Sequence, residues 1–234
     1  MAVAPLNKFL TIAVPVAPGE QTVYTTPVGV SAIVLYAQVS NVGVNTYPTF
    51  TFTHRRKSNS SRTSGNTRNI RIIKEAEVIP NDALVIIDGR LVLERTSTII
   101  DSIVIEGAQS GIVSVTDCLY DNNTGVTTVT TFDAHNFKTG DEVTMAGLAF
   151  TCSGSFGLTT SIFPSPQQSF TIDSIIGDVG TSKTFVTNSG KVVGIAHTYL
   201  NGGLVAPLQM EFICSILENS IAWLWQNIFQ IVLK

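Results

Sequence analysis

Leu208-Gln-Met-Glu-Phe-Ile-Cys-Ser-Ile-Leu-Glu218 is the stretch whose reading decides the fold. It reads as one strand, and it stands far along the chain from the segment that needs it. Residues 21–112 carry a run of strands that is one short of a finished domain. Residues 113–203 carry a second strand-rich run of different texture. Residues 204–218 then return and supply the missing strand. The sequence predicts an all-β chain: a jelly-roll-like β-sandwich over 21–112 plus 204–218, with a smaller β-domain inserted at 113–203. A module inserted at a loop is how assembly and adhesion proteins elaborate a scaffold.

Within the first run, Ala32–Asn41 is a long apolar strand rich in β-branched and aromatic residues. Thr46–Phe52 alternates phenylalanine with threonine, a period of two. Asn69–Ile73, Glu77–Ile79 and Ser102–Glu106 are shorter strands, and Pro80-Asn-Asp82 is a turn. Leu84–Glu94 predicts a hairpin, because two apolar runs flank Asp88-Gly89, the pair that a type I′ turn needs for its positive φ. In the inserted run, turns fall at Asp121–Gly125, Lys138–Asp141 and Asn188–Gly190, where residues tolerate a left-handed backbone or form Asx turns.

The two ends read differently. Residues 1–20 are apolar but broken by Pro5, Pro15 and Pro18, which predicts an extended arm lying on a partner. The start lacks a basic region and an unbroken apolar core, so it does not read as a signal peptide. The expectation is a chain made in a cytoplasm. Residues 219–234 place Ile221, Leu224, Trp225, Ile228 and Val232 on one helical face, widened by Trp223, Phe229 and Leu233. Asn219 or Ser220 would cap a short C-terminal helix. The run is shorter than the roughly 20 apolar residues of a membrane span and carries Gln226, Asn227 and Gln230. It reads as a buried contact, with Trp223, Trp225, Ile228, Phe229 and Val232 as an oligomer interface.

Only 13% of the 234 residues are charged, against roughly 25% in a typical soluble domain. Such a surface suits cover by neighbours. The net charge of −3 offers no global field to attract nucleic acid. One cluster is basic: Arg55, Arg56, Lys57, Arg62, Arg68, Arg71 and Lys74 hold no acid between them. The functional reading of Arg55, Arg56, Lys57, Arg62, Arg68 and Arg71 is contact with an acidic neighbour or a host surface. The bland reading is a solvated hairpin loop. No aromatic residue is interleaved for base stacking, which disfavours nucleic acid.

Catalytic and metal-binding signatures are missing from the sequence. His54, His135 and His197 fall in no ligand spacing, and no nucleophile elbow, phosphate loop or zinc-protease motif occurs. The acids Asp117, Asp121 and Asp141 lack the alternation of a calcium loop. Neither a metal, a cofactor nor a small-molecule substrate is expected. Cys118, Cys152 and Cys214 read as three small buried side chains, with a Cys118–Cys152 bridge as the alternative.

The first domain resembles a module of tailed-phage structural proteins. The resemblance rests on Tyr24-Thr-Thr-Pro-Val-Gly29, Ala32–Asn41, Pro80-Asn-Asp82, Asp88-Gly-Arg-Leu-Val-Leu93 and Ser215-Ile-Leu-Glu218. The inserted unit is similar to domains in virion proteins of myophage-like phages that infect marine cyanobacteria. There the matching pieces are Leu119-Tyr-Asp121, Thr124–Thr130, His135–Val143, Ala149-Phe-Thr-Cys152, Val179-Gly-Thr-Ser182 and His197-Thr-Tyr199. The resemblance spans residues 20–218 and implies a non-enzymatic virion structural protein of the tail, neck or capsid surface. It implies no catalytic residue, gives His135 and Gly140 turn-shaping roles, and does not reach the Trp-rich end. A trimer or hexamer with other virion proteins around it is the expected assembly. The alternative from another class is a host-glycan-binding sandwich that uses Tyr36, Tyr47, Tyr120 and Tyr199. An enzyme working through Asp133, Asp141 and Glu142 is the third and least favoured, since their spacing is generic.

Overall fold

The computed structural model describes residues 7–58, 66–154, 157–165, 167–192 and 195–220. Among them every regular element is a strand, and no helix is long and apolar enough to cross a membrane. Seven strands come first: β1 (Asn7–Pro15), β2 (Gly19–Thr25), β3 (Val30–Asn41), β4 (Thr49–Ser58), β5 (Thr67–Glu77), β6 (Ala83–Glu94) and β7 (Ile99–Ala108). Nine more follow: β8 (Val113–Tyr120), β9 (Val126–Thr131), β10 (Glu142–Ala146), β11 (Ala149–Gly154), β12 (Gly157–Ile162), β13 (Ser169–Ile176), β14 (Thr184–Asn188), β15 (Ala196–Asn201) and β16 (Leu204–Pro207). The last is β17 (Met210–Ser220).

β1 to β7 and β17 build two four-stranded antiparallel sheets, in the orders β1-β17-β3-β6 and β2-β7-β4-β5. The pairing is nested. β1 pairs with β17, β2 with β7, β3 with β6 and β4 with β5. The chain is therefore a long doubled ribbon rolled so that its two halves face each other. Everything between β7 and β17 is interposed before the ribbon closes.

The two inner faces share one core. Phe50 and Phe52 of β4 and Ile103 and Ile105 of β7 meet Met210, Phe212, Cys214 and Ile216 of β17. Each set follows the period of two that points alternate side chains to one face. β3 changes phase midway: Ala32 and Val34, then Ala37 and Val39, all face inward. A register shift against β17 accounts for this, since Tyr36 pairs with Ser215 and Val34 with Ile216, leaving Leu35 as an extra residue. Burial of each large apolar side chain contributes about 1.5–3 kcal/mol before entropy costs.

Three expectations are corrected here. Residues 7–15 are not a detached arm. They form β1, with Leu10, Ile12 and Val14 packed on the core and Asn7 to Pro15 in register with Asn219 to Glu211. Pro15 is tolerated because β1 is an edge strand, where a missing N–H donor costs no ladder bond. Asp88-Gly89 does not turn the chain. β6 runs straight through it, and both flanks pair with the 12-residue β3. The step from Val34↔Leu91 to Tyr36↔Asp88 makes the site a bulge. Asn219 and Ser220, expected to open a helix, extend β17 against Ser31 and Val30. The rest of the expected helix, 221–234, lies outside the described residues.

The interposed strands form one nine-stranded sheet that closes on itself. β8, β9, β14, β13, β10 and β16 make a six-stranded barrel, and β15, β11 and β12 continue outward from β8. Its core is Val115, Val129, Val143, Met145, Leu148, Phe150, Phe170, Ile172, Phe185 and Val205 with their neighbours. The turns at Asp121–Gly125 and Asn188–Gly190 meet. At Gly125 φ is +81°, and a Cβ there would lie 2.7 Å from the backbone of Gly190, so only glycine fits. His135 accepts the Phe137 N–H through Nδ1 and stacks on the Phe137 ring, which fixes the bend leading to the Gly140 turn.

The chain leaves and re-enters the sandwich at one point. The buried Gln209 side chain accepts the Ser110 N–H and donates to the Ser110 carbonyl and hydroxyl. Pro207 lies against Gly111. Ends held this close permit excision. Replacing residues 111–207 with a Gly-Ser linker of about four residues is expected to leave a folded, cooperatively melting β-sandwich. A chain that shows no strand circular dichroism or no cooperative melt would show instead that the sandwich depends on its insert.

Candidate interaction surface

The β4–β5 hairpin sets Arg55 opposite Asn69, Arg56 opposite Arg68 and Lys57 opposite Thr67. So many cations on two adjacent strands repel one another, and acids from other strands offset part of that repulsion. The Arg55 guanidinium donates to both Glu20 carboxylate oxygens at 2.8 Å and to Asn69 Oδ1. Arg56 donates from Nε to Asp101 Oδ1 at 2.8 Å and from Nη2 to Oδ2 at 2.7 Å, a two-pronged pair. Asp101 is fully buried and also accepts the Glu94 N–H. His54 Nε2 lies 3.3 Å from Asp101 Oδ2 but off line, without a hydrogen bond.

Burial pushes the Asp101 carboxyl up. The Arg56 hydrogen bond, the Glu94 N–H and the neighbouring His54 and Arg56 outweigh it and hold the group below the usual carboxylate range. Nearby, the Tyr24 hydroxyl donates to Glu218 Oε1 at 2.8 Å across the two sheets. Burial and then the Glu218 contact push that phenol far up, so it stays protonated. Tyr24, Glu218, Arg56, Asp101 and Glu94 thus tie the faces of the sandwich together.

The basic cluster is accordingly not free as a whole for an outside anion. Arg55 and Arg56 are engaged inside the fold, by acids far away in sequence that local reading missed. Lys57, Arg68 and Arg71 are exposed and have no carboxylate partner among the described residues. Arg62 lies outside the described residues, as do Trp223, Trp225, Ile228, Phe229 and Val232. Lys74 pairs with Glu75 at 3.1 Å, but both are well exposed, so the contact stabilises little.

At the opposite end of the sandwich, a groove of about 550 Å³ separates it from the barrel. Val42, Gly43, Val44 and Thr46 of the β3–β4 connection form one wall. Pro207, Leu208 and Gln209 form the other, and Asp141, Glu142 and Glu211 stand along it. Asn41 holds the connection in place by donating to Thr46 and Val78 carbonyls and accepting the Gly43 N–H.

The structure brings together a further pair that sequence spacing did not show. Cys152 on β11 and His197 on β15 are ladder partners, with Sγ 2.7 Å from Nδ1. The imidazole stacks on Phe163 and meets Tyr120 and Phe150 edge-on. Burial holds its pKa down, which favours the neutral ring. Among the described residues its Nε2 has no hydrogen-bond partner, and nucleophilic sites orient the base through a third group. Cys118 cannot bridge Cys152, because β15 lies between β8 and β11. Two strand spacings of about 4.8 Å exceed the reach of a disulfide, and Cys118 and Cys214 are free thiols. Burial pushes the thiols of Cys118 and Cys214 up to about 12.

The four tyrosines do not form a platform. Only Tyr47 is largely exposed. Tyr36 donates to Gln38, Tyr120 to the Gly190 carbonyl and Tyr199 to the Gly202 carbonyl. Asp141 Oδ2 accepts the Lys138 N–H and shapes its turn, and Glu142 begins β10. Among the described residues no three metal-binding side chains converge.

No protein-family model and no curated protein matches the chain. Among solved structures it is similar to the infectious bursal disease virus VP2 subviral particle, with 9% identity and a TM-score of 0.26 over 93% of this chain and 41% of that one. It is also similar to the CBM22-1-CBM22-2 tandem domain of Paenibacillus barcinonensis Xyn10C, with 9% identity and a TM-score of 0.21 over 93% and 91%. A third likeness is to the T=1 Penaeus vannamei nodavirus, with 11% identity and a TM-score of 0.14 over 92% and 98%. The chain spans about two-fifths of the VP2 chain it matches. At scores this low the likenesses carry no argument, and the reading of function rests on the chain's own geometry.

Proposed function

We propose that this chain is a non-enzymatic structural subunit of a virus particle, a tailed phage on the strength of the sequence resemblance, and that it acts by assembling. The observation that carries the reading is the nested pairing of the eight sandwich strands. First with last, second with seventh, third with sixth and fourth with fifth is the order of a jelly roll, with the barrel inserted before the final strand. Jelly rolls serve capsids, lectins and cupins alike, so the fold alone does not choose among them.

Two features favour assembly. The surface is poor in charge and exposes Phe9, Ile70, Ile72, Ile79, Val85 and Val92. The chain also continues from β17 into an apolar, Trp-bearing segment, 221–234. A sugar platform is not favoured, since three of the four tyrosines spend their hydroxyls inside the protein. In this reading the particle position is tail, neck or capsid surface. The copies form a trimer or hexamer, and the chain is made in the host cytoplasm.

Light scattering over a range of concentrations tests this. The full chain is expected to have the mass of three or six copies. A chain ending at Ser220, which keeps all of β17, is expected to be a folded monomer. A full chain that stays monomeric overturns the homo-oligomer. A truncated chain that keeps the same mass moves the main contact away from 221–234.

A further inference from the structure

We propose that the basic end of the β4–β5 hairpin docks into the groove between sandwich and barrel of a second copy, a head-to-tail contact. This rests on the assembly reading and adds a surface and a partner to it.

The two surfaces match in charge. Lys57, Arg68 and Arg71 are exposed and have no carboxylate partner among the described residues. Asp141, Glu142 and Glu211 line the groove, and among the described residues none of them meets a cation. They match in polarity as well. Ile70 and Ile72 stand exposed beside the arginines of β5, and the groove wall offers Val42 and Val44, both exposed.

The surfaces cannot meet within one molecule. Lys57 and Arg68 lie at the far end of β4, and the groove lies at its start, where Val42–Thr46 lead into Thr49. Ten residues of strand separate the poles by on the order of 30 Å, well beyond the roughly 10 Å range of screened charges. The satisfied members of the cluster sharpen the point. Arg55 and Arg56 spend their charge on Glu20 and Asp101, so what the hairpin end presents outward is Lys57 and Arg68, with Arg71 farther back opposite Thr53.

A contact between unlike patches is heterologous. It repeats from copy to copy and closes into a ring or runs on as a filament, according to its rotation. It would therefore join the closed oligomers set by residues 221–234, or stack them.

A charge swap on the full chain tests the contact. One variant carries Lys57→Glu and Arg68→Glu, and the other Glu142→Lys and Glu211→Lys. All four positions are exposed, and circular dichroism checks that both variants keep the fold. Sedimentation in about 50 mM salt is expected to show species larger than the closed oligomer, lost again in about 500 mM salt. Each variant alone should weaken that association about tenfold or more. An equal mixture should regain it, because the reversed hairpin of one fits the reversed groove of the other.

Unchanged association in both variants, or no gain on mixing, overturns the contact and leaves the assembly reading intact. A closed oligomer with no salt-sensitive growth overturns it in the same way. A full chain that is monomeric in every condition overturns the contact and the homo-oligomer together.

Discussion

Asp101→Ala is expected to lower the unfolding free energy by about 3–5 kcal/mol, the usual cost of breaking a buried ion pair by removing one partner. The carboxylate is fully buried and serves three strands at once. It takes two hydrogen bonds from Arg56 on β4 and one from the Glu94 N–H at the end of β6. Without it, the Glu94 N–H and the half-buried guanidinium both lose their acceptor. Arg56→Ala should cost a similar amount from the other side, since it strands the buried anion.

The same group sets a pH dependence. Its folded pKa lies below that of a free aspartate side chain. Its contribution is therefore complete above that value and fades as pH falls through the folded one. Urea melts of wild type and Asp101→Ala at neutral pH should differ by the full amount, and the gap should narrow in strong acid. A difference under about 1 kcal/mol at neutral pH would place the pair among ordinary surface bridges.

Phe212→Ala is expected to cost about 3–5 kcal/mol as well, by a different route. Phe212 on β17 and Phe52 on β4 are both fully buried, with ring centroids 6.0 Å apart. They belong to opposite sheets, so the pair joins the returning strand to the body of the sandwich. Removing the ring leaves a cavity that a two-sheet core cannot collapse without moving a whole sheet. A double-mutant cycle with Phe52→Ala should give a coupling of about 0.5–1.5 kcal/mol. A loss below about 1 kcal/mol would mean that β17 contributes little to the core, and would remove the basis for an interrupted sandwich.

The skeleton of the fold is written in local pattern where that pattern is strong. Ala32–Asn41 and the alternation around Phe50 and Phe52 are visible because β-branched and aromatic residues recur with the period of a strand. The returning strand is visible because it is apolar and follows a run of a different kind. What misled were residues whose local preference the tertiary context overrides. Asp88-Gly89 is a turn pair in isolation, yet a 12-residue neighbour strand offers ladder partners on both sides of it, and continuing is better than turning. Pro15 suggests an interruption, yet at an edge it interrupts nothing. The polar ties were invisible for another reason. Arg56 and Asp101, Tyr24 and Glu218, and Cys152 and His197 are each joined only by sheet register, and no spacing rule brings them together. Arg55 and Arg56 drop out of the basic cluster's outward face for that reason.

The nested order of pairing also governs how the molecule is made. Asn7 waits for Asn219, so the first strand leaves the ribosome long before its partner exists. The barrel is contiguous in sequence and can form while β17 is still being translated. The sandwich cannot close until the returning strand emerges. Contacts between strands this distant make for slow folding, and during the wait the unpaired edges of β1 and β3 are open to the wrong neighbour. Synthesis near many identical nascent chains would favour exchange of β17 between copies, so yield of this protein should fall at high expression rates and recover when translation is slowed.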